Sequence, residues 1–260
     1  MNEDKFLKVA KEAALEAGKV ISKYTGKVRE LTVKNDDVSD FATQADIEAE
    51  EKIVEILTKN FPKHNIIAEE KARINKDSEY TWVIDPLDGT ISFSIDNPFY
   101  SVSIGLLKEH KPVLGVIYHV SKGHLYYAQE GQRAYLNGKS IQVSKRSSLD
   151  GAVIVMDLGH RARRQEKFDS YVNKLKNRVG YIFSFGGLVT SLGMVAKSMM
   201  DAAVSQAWLW DFAAGTVIVR EAGGKVTDFE GKEPDWSKER LEIVASNGLI
   251  HDQILEALKK

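Results

Sequence analysis

The stretch WVIDPLDGT, residues 82–90, is an apolar run that leads into a turn with two acids, a proline, a glycine and a hydroxyl. The apolar part predicts a strand, whose end would hold Asp85 and Asp88 rigidly while leaving both carboxylates accessible. Gly89 permits a close approach of the backbone, and the amides of Gly89 and Thr90 could face a phosphate oxygen. Oxygen ligands of this kind suit Mg²⁺ or Mn²⁺ better than zinc. The alternative is an ordinary polar turn in which both aspartates accept nearby amides.

Two further segments place acids at the ends of predicted elements. IIAEE, residues 66–70, is a second apolar strand that ends in acids, and WLWDFAAG, residues 208–215, places Asp211 where a helix should start. Three acid-terminated elements that converge would form one metal cluster. A plain N-cap is the alternative for Asp211, and the same alternative holds for Asp40 and Asp46 near the start of an earlier helix. The small residues after Asp211 favour a helix that packs closely against another element.

Hydrophobic periodicity divides the chain into two parts. Helical spacing predicts helices over 5–24 and 46–61 with a strand near 27–33 between them, and the short strands that follow indicate a largely antiparallel sheet. After residue 150 strands and helices alternate, which favours an α/β arrangement. The predicted organisation is an α+β lobe at 1–147 with most of the acids and an α/β lobe at 148–260 with the substrate loops and the third acid segment. The second lobe is predicted to contain strands at 151–157, 180–184, 201–205, 224–228 and 241–245, and helices at 164–176, 187–197, 211–222 and 249–258.

Composition and missing motifs exclude several classes of function. The 260 residues carry 36 Lys+Arg against 37 Asp+Glu, and the formal net charge of -1 gives no field for nucleic acid or an anionic membrane. Zero cysteines exclude thiolate catalysis and Cys-ligated zinc. No apolar stretch is long enough for a membrane span and the start of the chain lacks the features of a signal peptide, so a cytoplasmic protein is expected. The sequence has no P-loop, HExxH, GxSxG or EF-hand pattern, and the acids of residues 82–90 do not follow the DxDxT pattern of a phosphorylated aspartate.

The order of the motifs resembles that of the inositol monophosphatase family. The segment from Asp40 to Asp46, the acids of 66–70, DPLDGT, WDFAAG and EAGG at 221–224 occur in the family's order. The resemblance implies a layered α-β-α-β-α sandwich with a site between the lobes that holds two or three Mg²⁺ ions, Mn²⁺ being possible. It implies as metal ligands Glu69, Asp85, the Leu87 carbonyl, Asp88 and Asp211.

The resemblance also implies a mechanism and a substrate class. Glu69 and Thr90 would orient and deprotonate a metal-activated water that attacks phosphorus in line, with Asp46 supporting Thr90. The substrate would be a small sugar or inositol phosphate monoester, inositol-1-phosphate and/or fructose-1,6-bisphosphate. Lithium inhibition and a homodimer are further implications. The residues implied to contact the substrate are Asp88, Gly89, Thr90, Gly186 and Gly187.

Several positions depart from the family pattern. GGLV at 186–189 stands where many members have GSAA, Val204 replaces an acid that binds inositol hydroxyls, and Ile91 and Ser92 replace the usual residues after DPLDGT. These changes leave the implied metal ligands intact. They leave the choice of substrate open.

A basic segment, HRARR at 160–164, follows the strand predicted at 151–157. Arg161, Arg163 and Arg164 could bind the second phosphate of a bisphosphate substrate. A solvated helix start is the alternative.

Two further functions stay open. One is a 3'(2'),5'-bisphosphate nucleotidase of the same family, and the other is a non-catalytic metal-binding or regulatory protein that kept the fold. Trp208, Trp210 and Phe212 are expected in the core and not as a stacking platform for a base, so the nucleotidase has no positive feature in the sequence.

Overall fold

The computed structural model describes the backbone of residues 4–27, 32–34 and 37–259. Its helices are α1 (Lys5–Ser22), α2 (Gln44–Asn60), α3 (Thr90–Ser94), α4 (Arg164–Lys167), α5 (Asn173–Leu175), α6 (Leu188–Ala196), α7 (Leu209–Glu221) and α8 (His251–Lys259). Its strands are β1 (Thr32–Lys34), β2 (Asp37–Ala42), β3 (Asn65–Ala68), β4 (Arg73–Ile74), β5 (Tyr80–Asp88), β6 (Ser101–Lys108), β7 (Lys111–His119), β8 (His124–Gln129), β9 (Ala134–Leu136), β10 (Lys139–Ile141), β11 (Val153–Met156), β12 (Tyr181–Phe183), β13 (Ala202–Trp208), β14 (Lys225–Thr227) and β15 (Arg240–Ser246). Among these residues no helix is both long and apolar enough to cross a membrane.

Two β-sheets form the frame of the protein. The larger sheet has the strand order β10-β9-β8-β7-β6-β5-β3-β4, and its strands pair antiparallel apart from β3 with β5. The smaller sheet has the order β12-β11-β13-β15-β14, in which β11 runs parallel to both of its neighbours. The largely antiparallel first sheet is therefore confirmed. β10 and β11 lie on either side of the boundary predicted at 147/148, and the division into two lobes stays a prediction.

Helices flank and separate the two sheets. α1 and α2 pack on the outer face of the larger sheet, α6 and α7 lie between the sheets, and α5 and α8 cover the outer face of the smaller sheet. An apolar core fills each of these helix layers against its sheet. The α-β-α-β-α sandwich that the family resemblance implied is confirmed.

The middle layer approaches the larger sheet closely at α7. Gly105 and Gly115 lie opposite each other on β6 and β7. A Cβ at Gly115 would lie 2.1 Å from the carbonyl oxygen of Ala214, and one at Gly105 would lie 2.8 Å from the Cβ of Ala213. Glycine on the sheet and small residues on the helix therefore let α7 lie against the sheet, which brings its first turn and Asp211 to the end of β5.

Two helical regions differ from the predicted elements. The helix predicted at 164–176 is divided into α4, a π-helical turn at Phe168–Val172 and α5, and it follows a 3₁₀ turn at Arg161–Arg163. The sequence does not predict α3, because five residues are too few for a helical period to show. Of the strand predicted at 27–33, residues 28–31 lie outside the described residues.

Candidate active site and metal centre

A β-bulge near the end of β5 turns two aspartates to the same side of the larger sheet. Asp85 pairs with Ser103 on β6 but Asp88 pairs with Ser101, so β5 contains one residue more than its partner over this stretch. Side chains alternate along a regular strand, which would place Asp85 and Asp88 on opposite faces, and the extra residue restores them to one face. Pro86 lies inside the bulge and has no N–H to donate, which suits a position where the ladder is interrupted.

Acids from two other elements lie beside these aspartates. α7 supplies Asp211 in its first turn, and one carboxylate oxygen from each of Asp85, Asp88 and Asp211 lies within 4.8 Å of the others. Glu69, which directly follows β3, shares a hydrogen bond with Asp85. The structure thus brings together the four acids that the sequence assigns to a metal centre, and their role as ligands stays a prediction.

The cluster carries like charges, and its two aspartates on β5 are buried. Asp85 is 1% exposed and Asp88 is 8% exposed. Burial raises the pKa of Asp85 well above its usual range, and the charges of Glu69, Asp88 and Asp211 raise it further. Burial also raises the pKa of Asp88 to about 7, and burial together with the charges of Asp88 and Glu69 raises the pKa of Asp211. Buried carboxylates in this number ionise together only when a cation compensates them, so the all-oxygen donor set fits a hard divalent metal ion.

The first turn of α6 is anchored on Asp88. The N–H groups of Leu188 and Val189 donate to its two oxygens at 3.0 and 2.9 Å. A Cβ at Gly187 would lie 2.9 Å from Oδ2 of Asp88, so a larger residue there would require a small shift of the Asp88 side chain. Because the contact uses backbone amides, the change from GSAA to GGLV preserves it. Gly187 and its neighbour Gly186 therefore adjoin the cluster, and their contact with substrate stays a prediction.

Gly89 joins β5 to α3 in the left-handed conformation, with φ +83°. A Cβ there would lie 2.5 Å from the carbonyl oxygen of Phe99 and 3.2 Å from that of Gly186. Both the backbone conformation and the space therefore require glycine. Gly89 is the N-cap of α3 and Thr90 is its first residue, so both amides lie at the start of a helix beside the acids.

Thr90 connects the cluster to α2. Its hydroxyl oxygen lies 3.0 Å from Oδ1 of Asp46 and 3.1 Å from the carbonyl oxygen of Leu87. Asp46 also accepts the backbone N–H of Thr43 at 2.7 Å and the Thr43 hydroxyl at 2.5 Å. Burial raises the pKa of Asp46 to about 6, and the bonds from Thr43 oppose that rise. The contact between Asp46 and Thr90 is thus present, while the catalytic role of both residues stays a prediction.

Neither Asp46 nor Asp211 is an N-cap, so that alternative is wrong for both. Thr43 caps α2 and Trp208 caps α7, and each aspartate is the third residue of its helix, where one oxygen accepts the N–H of the capping residue. For Asp211 this bond is 2.7 Å long and uses Oδ2, which leaves Oδ1 for the cluster. The side chain of Asp40 lies outside the described residues.

Arg163 of the basic segment and Asp211 of the cluster both lie near Arg240, a residue that the sequence did not single out. Arg240 is the first residue of β15. Burial lowers the pKa of its guanidinium group, the positive charge of Arg163 lowers that pKa further, and the negative charge of Asp211 raises it. Arg161 and Arg164 are exposed in the turn and at the start of α4. Only the register of β13 against β15 places Arg240 beside the start of α7, and no local sequence signal could have found it.

Aromatic rings and guanidinium groups stack beside Asp211. The Trp208 and Trp210 rings are stacked at 5.2 Å, Arg240 lies 4.3 Å from the centre of Trp208, and Arg73 lies 5.2 Å from the centre of Trp210. Trp210 and Phe212 are buried as expected. Trp208 is 37% exposed, so its assignment to the core is wrong.

The other departures from the family pattern have structural consequences. Val204 is buried in the core on the outer face of the smaller sheet, so it contributes no group to the site. The Ser92 hydroxyl donates to the carbonyl oxygen of Phe185 at 2.9 Å, which ties α3 to the segment before α6. Ile91 is exposed.

Solved structures share this sandwich over nearly the whole chain. The extragenic suppressor protein suhB from Bartonella henselae superimposes with a TM-score of 0.91 at 34% identity and covers 99% of each chain. An IMPase from Thermotoga maritima superimposes with a TM-score of 0.86 at 32% identity, over 98% of this chain and 97% of that one. The fructose-1,6-bisphosphatase/inositol-1-monophosphatase of Aquifex aeolicus is 37% identical over 263 residues, which cover 100% of this chain and 97% of the relative.

Fold, site and relatives define the class of protein as a phosphoric monoester hydrolase. The sequence model of the inositol monophosphatase family matches residues 2–260. The chain belongs to the inositol monophosphatase family, whose members act on small phosphorylated sugars or inositols. The resemblance drawn from the order of the motifs is confirmed.

Proposed function

We propose that this protein is a Mg²⁺-dependent phosphatase that hydrolyses inositol-1-phosphate, fructose-1,6-bisphosphate or both. The observation that supports it is the group of carboxylates from the buried Asp85 and Asp88 and the half-buried Asp211, which lie within 4.8 Å of one another. These three, with Glu69 and the Leu87 carbonyl, would hold two or three Mg²⁺ ions or, as an alternative, Mn²⁺. When bound, such ions stabilise charge on the phosphoryl and leaving-group oxygens and make a water molecule more acidic.

The protein's own groups position the reactants and move a proton. Glu69 accepts a proton from the attacking water, and the Thr90 hydroxyl orients that water. Asp46 and the Leu87 carbonyl oxygen, 3.0 and 3.1 Å from the Thr90 hydroxyl, fix its position. The amides of Gly89 and Thr90 hold phosphate oxygens at the start of α3.

A panel of esters tests the proposal. Phosphate release is measured for inositol-1-phosphate, fructose-1,6-bisphosphate and adenosine-3',5'-bisphosphate, each with Mg²⁺, with EDTA and with added lithium. We expect release from one or both of the first two esters, loss of release in EDTA, and inhibition by lithium. Release from none of them would favour the non-catalytic metal-binding or regulatory protein.

Arginines at the rim would bind the second phosphate of a bisphosphate. Arg163 pairs with Glu166 at 2.7 Å, and the charges of Arg163, Glu166 and Asp211 all act on Arg240, so a phosphate at this place would compete with Glu166 for the two guanidinium groups. Arg161 and Arg164 of the same segment are proposed to assist. We expect Arg163→Ala and Arg240→Ala to raise KM for fructose-1,6-bisphosphate and to leave KM for inositol-1-phosphate unchanged. Arg178→Ala, at an exposed position after α5, is the control that should change neither.

The nucleotidase alternative has weaker support. A base needs an open aromatic face, and the rings nearest the cluster already stack on each other and on two guanidinium groups. The adenosine ester in the panel separates this alternative from the main proposal.

We also propose a homodimer that forms at the edge of the smaller sheet. β12 is an edge strand, and its Tyr181, Ile182 and Phe183 are 66%, 37% and 41% exposed. An exposed apolar edge strand is suited to pairing with another chain, and a second copy would cover these side chains. Light scattering after gel filtration should show a dimer for the wild type and a monomer for Phe183→Lys, and a monomeric wild type would contradict the proposal.

A cytoplasmic location stays a prediction.

A further inference from the structure

The loop that carries Glu69 is held by a buried carboxylate on α2. Residues 69–72 connect β3 to β4, and three of their backbone N–H groups donate to Glu50. Glu70 donates to Oε2 at 2.8 Å, while Lys71 and Ala72 both donate to Oε1 at 2.8 Å. Glu50 is 4% exposed.

All four backbone amides of this loop have partners. The N–H of Glu69 donates to the carbonyl oxygen of Ile84 on β5 at 3.0 Å, and the carbonyl oxygen of Ala72 accepts the N–H of Ala68 at 2.9 Å. An ionised acceptor makes stronger hydrogen bonds than a neutral one, and a buried carboxylate needs such donors. Glu50 and the loop therefore satisfy each other, and the backbone on both sides of the Glu69 side chain is fixed.

The position of Glu50 on α2 links this clamp to the other half of the site. Asp46 and Glu50 are four residues apart and both are buried, so they lie on one face of the helix about 5–6 Å apart. Asp46 contacts the Thr90 hydroxyl at 3.0 Å. One turn of α2 thus holds Thr90 through Asp46 and the Glu69 loop through Glu50.

We propose that Glu50 is a positioning residue that sets the place of Glu69 relative to Thr90 through the backbone of residues 69–72. The proposal rests on the proposed function, in which Glu69 and Thr90 act on the same water. Sequence alone gives no sign of this role, because Glu50 lies in a helix with other acids on both sides. Groups that orient catalytic ligands in this way typically contribute about 10–100-fold to activity or metal affinity.

A second side-chain clamp on the same sheet provides a matched control. Asn65 on β3 accepts the N–H of Lys76 at 2.7 Å, and its amide donates to the carbonyl oxygen of Ser78 at 2.8 Å. This clamp holds the turn between β4 and β5, which carries none of the proposed site residues. Asn65→Ala therefore loosens a loop of the same sheet without touching the Glu69 loop.

The test compares Glu50→Gln with Asn65→Ala and with Glu51→Gln, an exposed neighbour on α2. Amide hydrogen exchange of the metal-free proteins is followed by mass spectrometry, and kcat and KM are measured with the best ester of the panel. In Glu50→Gln an NH2 group replaces one acceptor oxygen and faces an N–H donor of the loop. We therefore expect faster exchange at 70–72 and a kcat that is lower by about 10-fold with little change in KM. Asn65→Ala should exchange faster at 76–78 and keep the wild-type kcat, and Glu51→Gln should match the wild type in both.

Three results would overturn the role of Glu50. They are unchanged exchange at 70–72 in Glu50→Gln, a kcat within about twofold of the wild type despite faster exchange, and an equal fall in kcat for Asn65→Ala. Glu50→Asp keeps the charge but is shorter, and it replaces Glu50→Gln if the latter does not fold. A wild type that releases no phosphate refutes the proposed function instead, and the exchange data then still test the clamp by themselves.

Discussion

The structure buries two sets of titratable groups that differ in how they are compensated. His251 on α8 lies between the hydroxyls of Thr227 and Ser246, 2.9 Å from Nε2 and 2.8 Å from Nδ1. Burial lowers its pKa to about 4, so it is neutral at pH 7 and both ring nitrogens have partners. The acid cluster holds several like charges whose pKa values burial raises. A satisfied buried network supports the fold, whereas one that lacks a counter-charge marks a binding site.

The largest expected effect is the loss of activity when the cluster loses one charge. In the wild type Asp85 accepts the N–H of Leu87 at 3.0 Å, and Asp85→Asn keeps an oxygen for this bond. The substitution removes one proposed metal ligand. We expect kcat to fall by at least about 100-fold, equivalent to roughly 2.7 kcal/mol in the barrier. Steady-state phosphate release measures it. Asp252→Asn, at an exposed acid that pairs with Lys225, should keep the wild-type rate, and an equal rate for Asp85→Asn would refute the assignment.

The second prediction concerns the satisfied network. His251→Ala leaves two buried hydroxyls without their partner and opens a cavity, which should cost about 2–4 kcal/mol of unfolding free energy. Activity of the folded fraction should not change. Urea unfolding measures the first effect and kcat the second. A large fall in kcat at full folding would mean that the two regions are coupled.

The two regions should respond to acid with opposite signs in the metal-free protein. The folded pKa of His251 is about 4 and lies below its ordinary value of 6.5, so its contribution to stability declines as pH falls from 6.5 towards 4, by up to about 3 kcal/mol. The folded pKa of Asp88 is about 7 and lies above its ordinary value of 3.8, chiefly because the carboxylate is buried, so its protonation stabilises the fold as pH falls from 7 towards 3.8.

Thermal unfolding of the metal-free protein between pH 8 and 4 measures both contributions. Tm should rise on acidification from pH 8 to about 6.5, and the rise should flatten below that pH, where the loss at His251 offsets the continuing gain at Asp88. Asp85→Asn should raise the metal-free Tm at pH 8 by roughly 2–4 °C, since about 1 kcal/mol of repulsion is removed. Saturating Mg²⁺ should abolish the rise between pH 8 and 6, and a rise that persists in Mg²⁺ would place its origin outside the cluster.

The smallest expected effect is the release of protons on metal binding. With a pKa of about 7, Asp88 is partly protonated at neutral pH, and a metal ion binds only the ionised form. Calorimetric titration of Mg²⁺ in two buffers of different ionisation enthalpy should therefore give different heats at pH 7, and the affinity should weaken at pH 6. Equal heats in both buffers would show that no proton leaves.

The sequence predicts the acids of the site because each one lies where a strongly patterned element ends or begins. It cannot predict the bulge that turns Asp85 and Asp88 to one face, since that depends on the register of β5 against β6. Glu50 and Arg240 are missed for the same reason, because each acts on residues far away in the sequence. Trp208 is misassigned since its hydrophobic character suggests the core, although it caps α7 at the surface.

The position of a bound metal tests the central claim most directly. Crystals soaked in Mn²⁺ would be measured for anomalous scattering at the manganese edge. The account predicts a peak within coordination distance of Asp85, Asp88 and Asp211, with Glu69 adjoining it. Manganese peaks only elsewhere on the protein, or none at millimolar Mn²⁺, would contradict it.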